Sequence, residues 1–234
     1  MNEEDAEEGA PVGRRIVLGM LGLGAAGVAV GASLQDRVSQ ALAPVGTIQN
    51  VLPAAGGFRY YSVTPSVDRR TAAAYRLRVG GLVARPRTFR MADLARLRQT
   101  ALTRDFQCVT GWRVADVRWA GVALPDLLDA VGVSPRARAV RFTSFDGVYT
   151  ESLTLEQARR RDVLVATQME GKPVTHDHGG PTRLYVAPMY GYKSLKWLDG
   201  IELTEEVEPG YWEKRGYDID AWVGRSNGRD DVPT

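Results

Sequence analysis

Alternation of apolar and charged side chains is clearest at Tyr75-Arg76-Leu77-Arg78-Val79. The period of two predicts a half-buried strand that stops at the Gly80-Gly81 turn. Short apolar or β-branched runs predict further strands at Val140–Ser144, Val148–Leu153, Val163–Thr167, Leu184–Ala187 and Ile201–Thr204. Helical spacing is scarcer. Met91, Leu94, Ala95 and Leu97 share one face, Pro125 opens a helix over Asp126–Val131 that Gly132 ends, and Thr154-Leu155-Glu156-Gln157 has capping-box spacing for a helix reaching Arg160. Strands and helices do not alternate regularly, which predicts an α+β class with a mixed or largely antiparallel sheet rather than a doubly wound one.

A different pattern occupies the N-terminus. Acidic Met1–Glu8 leads to Arg14-Arg15 and then to an uncharged Gly/Ala-rich run, Ile16–Gln35, about as long as a bilayer crossing but only weakly apolar. This predicts a signal or membrane-anchor helix within residues 1–43, a Pro/Gly linker over 44–57, and an ordered domain over 58–234. Arg14-Arg15-Ile16-Val17-Leu18 resembles a twin-arginine signal with Gly13 in place of the usual polar residue. That route exports proteins already folded, which suits one that takes up a cofactor first. An ordinary secretory signal or a retained anchor fits the same residues, since two arginines ahead of an apolar run also satisfy the positive-inside rule. Val30-Gly31-Ala32 and Ala41-Leu42-Ala43 are candidate cleavage sites, the second hindered by Pro44. Either way the domain is expected outside the cytoplasm, anchored by residues 16–35 or released.

Charge removes one class of partner. The chain has 30 Lys and Arg against 28 Asp and Glu, without the basic excess that neutralises a polynucleotide backbone, so no nucleic acid is expected. The first 43 residues hold six of the acids and three of the bases, which leaves the exported part mildly basic. The 25 Gly and 12 Pro indicate shaped loops, where sites usually lie.

The chain has one cysteine, Cys108, in Phe106-Gln107-Cys108-Val109-Thr110-Gly111-Trp112. It cannot make an internal disulfide, a multi-thiolate zinc site, a c-type haem attachment or a cysteine-ligated iron–sulfur cluster. It acts alone or packs as a small hydrophobe. Downstream, His178-Gly179-Gly180-Pro181-Thr182-Arg183 and Tyr190-Gly191-Tyr192-Lys193-Ser194-Leu195-Lys196-Trp197 interleave glycines, cations and aromatics. Turning backbone N–H groups, an Arg fork, Lys point charges and a Ser hydroxyl are equipment for a phosphate. No dinucleotide or Walker spacing accompanies them.

With Trp119-x-Gly121-Val122 and Phe142-x-Ser144-x-Asp146-Gly147, these segments resemble the oxidoreductase molybdopterin-binding domain of the sulfite oxidase superfamily over about Phe58 to Trp222. Small exported bacterial members, such as protein-methionine-sulfoxide reductase catalytic subunits, look most similar. The resemblance implies a sulfite-oxidase-like fold with mixed sheet and short helices. It implies a molybdenum–molybdopterin cofactor whose sole protein ligand is Cys108, lined by Ser144, His178, Arg183, Ser194, Leu195 and Lys196, with Arg59 and Tyr60 joining from the entry segment. The family's reaction is oxygen-atom transfer to or from a small oxo acceptor or donor of sulfite or sulfoxide type. Electrons are exchanged with a separate protein, a membrane haem protein among the candidates. Arg104, Asp105, Arg113, Asp116, Tyr149 and Tyr192 are candidates to face the metal. The methionine-sulfoxide group carries asparagine at His178 and a longer insertion after Phe142, so substrate and direction do not transfer.

Other readings use the same residues. Cys108 with His176 or His178 would make a cysteine-nucleophile hydrolase; His176-x-His178 with Asp177 lacks the further ligands of a structural zinc site; and a cofactor-free interaction module would keep the fold without the chemistry.

Overall fold

The computed structural model describes residues 58–59 and 61–233. The expected signal or anchor, the linker at 44–57 and Tyr60 lie outside the described residues. The chain divides into a unit ending at Arg59 and a unit from Tyr60 to Thr234; Arg59 belongs to the first, and all the elements named here belong to the second.

Two sheets make the fold. The first sets β2 (Arg87–Phe89), β1 (Leu77–Gly81), β10 (Leu198–Thr204), β5 (Ala139–Ser144) and β6 (Thr150–Thr154) side by side in that order. Strands β1 and β10 run parallel, Arg78 beside Gly200 and Gly81 beside Leu203, while the other pairs are antiparallel. The second sheet is antiparallel: β3 (Gln99–Gln107), β4 (Arg113–Ala123), β7 (Val163–Met169) and β8 (Lys172–Pro173), with β9 (Arg183–Val186) also on β7. Mixed pairing with a few short helices is the α+β arrangement that the sequence predicts.

Those helices are α1 (Met91–Arg96), α2 (Leu124–Val131) and α3 (Leu155–Ala158). In α2, Leu124, Leu127, Leu128 and Val131 fall at i, i+3, i+4 and i+7, and all are fully buried. Pro125 sits in the first turn, where no intrahelical N–H bond is required, and Gly132 ends the helix with a φ of 72°. Helix α3 has both arms of its capping box: Thr154 Oγ1 accepts from Gln157 N at 3.1 Å, and Gln157 Oε1 accepts from Thr154 N at 2.9 Å. The buried face of α2 shares one apolar core with Leu77 and Val79 of β1, Val140 and Phe142 of β5, Val165 of β7, Leu184 of β9 and Ile201 of β10.

The β3–β4 hairpin is absent from the sequence-based expectations. Much of Gln99–Asp105 is exposed or half-buried on both faces, so no buried face imposes an alternation on the sequence. The predicted strand from Val148 begins instead at Thr150, because Asp146 Oδ1 accepts from both Val148 N and Tyr149 N and folds those residues into a turn.

Candidate functional site

Cys108 heads the turn joining β3 to β4. Its N–H donates to Trp112 O at 2.9 Å, Gly111 N donates to Cys108 O at 3.0 Å, and Gly111 takes the left-handed φ of 97° that closes the turn. The thiol is half-buried, 3.1 Å from Thr110 Oγ1. Gln107 Nε2 donates to the Cys108 carbonyl at 3.1 Å, and Arg113 Nε donates to Gln107 Oε1 at 2.5 Å. Arg113 also pairs with Asp105 at 3.3 Å and donates to the Val232 carbonyl. The hairpin is thus braced around the sulfur from both strands and from the C-terminal segment.

Phe106, two residues before Cys108, carries the hairpin onto the Gly/cation block. A Cβ on Gly191 would lie 2.4 Å from the Phe106 ring, so only glycine permits this approach. Gly191→Ala should lower stability by about 1–3 kcal/mol, the usual penalty for overpacking; denaturant unfolding at constant m measures it. Arg183 lies 5.4 Å from the Phe106 ring centre and 5.3 Å from that of Trp119, a cation against two aromatic faces.

The lining residues named from sequence come together here. Arg183 donates from Nη1 to His178 O at 2.8 Å and from Nη2 to Ser194 O at 2.7 Å, tying the two loops to each other. Ser194 Oγ accepts from Val186 N at 3.0 Å, and Leu195 uses both backbone groups within the chain, donating to Lys193 O and accepting from Leu184 N. Ser144 Oγ accepts from Asp146 N at 3.1 Å. Trp197, held at a φ of 54°, joins all three loops: its N–H donates to Gly179 O, its indole to His176 O, and its carbonyl accepts from Phe145 N. A non-glycine residue in that conformation is backbone strain held by its surroundings. Arg59 belongs to the other unit and Tyr60 lies outside the described residues, so neither is placed at the site.

Electrostatics single out this pocket of charge. Burial pulls the Arg183 guanidinium down to about 10. Burial, and then Arg183, pull the Lys196 ammonium down to about 7, against the weaker pull of Asp146 and Asp177. Burial, Arg183 and Lys196 also lower His178. Basic groups crowded this way, with Arg183 bearing on both Lys196 and His178, are relieved by a bound anion.

Lys193 departs from the expected cradle. Its Nζ turns into the protein to Glu151 at 2.9 Å and to Glu213. Tyr149 and Tyr192 turn with it: Tyr149 OH donates to Tyr192 O at 2.7 Å and Tyr192 OH to Asp218 O at 2.8 Å. Asp105 is paired to Arg113 and accepts from Asp116 N at 3.0 Å, and Arg104 is exposed. The sequence reading missed Tyr217, whose phenol is raised by burial and then by the charge of Cys108. It lies edge-on to Tyr192 at 5.4 Å and against Trp212 at 5.2 Å. The aromatic density of Tyr211-Trp212-Glu213-Lys214-Arg215-Gly216-Tyr217 was the available signal.

Comparison with known proteins identifies the family. Residues 62–212 match the family described as oxidoreductase molybdopterin binding domain. The uncharacterized oxidoreductase YuiH of Bacillus subtilis is 35% identical over 63% of this chain and 75% of its own length. Sulfite oxidase of Arabidopsis thaliana is 31% identical over 68% of this chain and 49% of its own, and the protein-methionine-sulfoxide reductase catalytic subunit MsrP of Campylobacter jejuni 27% over 63% and 58%. The chain therefore spans only about half of the latter two. The structure of the sulfane dehydrogenase SoxCD from Paracoccus pantotrophus shares the fold, with a TM-score of 0.56 over 60% of this chain and 41% of that one, at 24% identity. With the family matched across most of the two-sheet unit, the chain belongs to the oxidoreductase molybdopterin-binding family.

Proposed function

We propose that this chain is a molybdenum-cofactor oxidoreductase that moves an oxygen atom to or from a small sulfite- or sulfoxide-like substrate and exchanges electrons with a separate redox protein. The observation that carries the reading is a half-buried thiol on a braced turn in the same unit as a buried basic cluster, where Arg183 bears on both Lys196 and His178.

The residues present fit the group. A single thiolate suits a metal that brings its other sulfur ligands with it, and coordination keeps that thiolate deprotonated. Cys108 is the proposed ligand. Lys196 and His178 are the proposed charge partners of the pterin phosphate, Ser144 keeps a hydroxyl proton to donate, and Arg183 holds the His178 and Ser194 loops in register while contributing its field. When bound, the cofactor supplies two-electron oxygen-atom transfer with electrons passed on singly. The chain's own part is to hold the sulfur in a braced turn. Thr110 Oγ1, rather than an imidazole, is the hydrogen-bond partner of Cys108 Sγ, which favours the ligand role over a cysteine-nucleophile hydrolase. We take residues 1–43 as the export signal or anchor and 58–234 as the catalytic domain.

Protein purified from molybdenum-sufficient cells should contain close to one molybdenum per chain and release a fluorescent pterin on oxidative denaturation. A metal-free preparation with full turnover would overturn the reading. A substrate panel run with both an artificial electron donor and an artificial acceptor then fixes direction and substrate class.

A further inference from the structure

Behind the site lies a charge cluster that the proposed chemistry leaves unused. Lys193, Glu151 and Glu213 have side chains no more than 1% exposed, with Lys193 Nζ bonded to Glu151 Oε2 at 2.9 Å, to Glu213 Oε1 and to Ser152 O at 3.2 Å. The two carboxyl groups lie against each other across Gly210: a Cβ there would sit 2.8 Å from Glu213 Oε2 and 2.9 Å from Glu151 Oε2. No hydrogen-bond partner among the described residues reaches the buried Glu213 Oε2 by ordinary donor and acceptor assignment.

Charge bookkeeping decides the protonation state. Two carboxylates on one ammonium would leave a net negative charge in a site closed to water, and such a charge is removed by proton uptake. Like charges that share a site keep one proton between them. That proton also supplies the missing donor for Glu213 Oε2.

The cluster's position in the chain gives it a task. Lys193 immediately precedes Ser194-Leu195-Lys196, Glu213 lies four residues before Tyr217, and Glu151 is on β6, two residues after Tyr149. One ammonium therefore fastens the Ser194–Lys196 loop, the segment carrying Tyr217 and the first sheet to one another. We propose that Lys193, Glu151 and Glu213 form a one-proton lock, a set of positioning residues that holds the segment carrying Tyr217 and the Ser194–Lys196 loop to the first sheet while the carboxyl pair keeps its proton. Its positioning role rests on the molybdopterin reading above; the shared proton does not.

The remaining titratable groups facing the pair are Tyr149, whose OH is 3.5 Å from Glu151 Oε1, and Tyr192, whose ring lies 5.9 Å from Lys193 Nζ. Burial, opposed by Lys193 and reinforced by Glu213, holds the Glu151 carboxyl well above the usual carboxylate range. A carboxyl raised in the folded state binds more protons folded than unfolded. Its stabilising contribution is complete below the ordinary glutamate pKa and is lost as pH rises through the raised value. The lock is closed while the carboxyl pair holds its proton and opens as pH rises through the raised value.

Infrared spectroscopy of the purified holoprotein tests this. At neutral pH the wild type should show a protonated-carboxyl C=O band that moves on 13C-glutamate labelling. The band should vanish in Glu151→Gln and in Glu213→Gln, each of which leaves one carboxylate on Lys193. Near-ultraviolet circular dichroism of the Trp212–Tyr217 cluster and the melting temperature should change as pH rises through the raised value in wild type, the latter by several degrees, and respond less in both variants. Absence of a glutamate-sensitive band in wild type overturns the shared proton even if a variant fails to fold. A pH response identical in all three proteins overturns the lock. Molybdenum content separates the two readings: a band without molybdenum defeats the cofactor assignment alone, and molybdenum without the band defeats the lock alone.

Discussion

Cys108→Ser is expected to abolish turnover, by on the order of 10³-fold or more, the scale seen when the group on which the chemistry depends is removed. A serine hydroxyl is a hard ligand that stays protonated at neutral pH, so it replaces neither the softness nor the charge of a thiolate on a redox metal. The fold should survive. The turn is closed by Cys108 N to Trp112 O and Gly111 N to Cys108 O, neither of which involves the sulfur. Serine also keeps the hydrogen bond to Thr110 Oγ1. A half-buried atom exchanged for a smaller one should move stability by less than about 1 kcal/mol. The decisive measurement is a set of three: turnover, molybdenum per chain, and the visible absorption that a sulfur–metal bond contributes. If Cys108→Ala keeps normal turnover and the wild-type spectrum, the sulfur is not the ligand.

The parts of this molecule that were legible in its sequence share a physical cause. Strands β5, β7 and β9 and helix α2 are buried on one or both faces, so their composition had to follow the core. Gln99–Asp105 of β3 and the start of β4 leave the core for solvent, and their sequence carries no corresponding constraint. The same distinction runs through the site. His178, Arg183 and Ser194–Lys196 could be grouped because one stretch of chain brings them close, and a cation-rich glycine loop has few structural uses. Within that stretch the sequence could not separate Lys193 from Lys196. One turn of backbone at Gly191–Lys193 sends the first to Glu151 and Glu213 and leaves the second among the site's cations. The C-terminal brace was illegible for another reason. Its bonds, Tyr190 OH to Asp231 at 2.8 Å and Arg113 to the Val232 carbonyl, join irregular segments far apart in the chain. No periodicity announces such contacts. The mixed sheet was predicted as a class, whereas the parallel β1–β10 pair inside it was not.

Arg183→Met carries the second large effect, because Arg183 does two things at once. Its Nη1 and Nη2 groups satisfy the carbonyls of His178 and Ser194 at 2.8 and 2.7 Å, and a methionine leaves both without that donor. Each buried carbonyl stripped of its partner costs about 1–3 kcal/mol. Relief of the buried charge returns part of that, since burial already holds the guanidinium at about 10. The net loss should appear as a melting temperature several degrees lower. The larger consequence is for the cofactor: with the two loops untied and one positive charge gone, molybdenum per chain should fall at least tenfold, the lower end of what losing a supporting group costs a metal site. Arg183→Lys keeps the charge but offers no planar fork to reach two carbonyls at once, so it should retain intermediate molybdenum. A third readout is free of the cofactor. Arg183 is the largest charge depressing Lys196, so in apo Arg183→Met the Lys196 ammonium should titrate above about 7, followed by NMR of the lysine side chain. If that titration does not move and molybdenum content stays at the wild-type level, the cation cluster is a packing feature and the anion it was assigned belongs elsewhere.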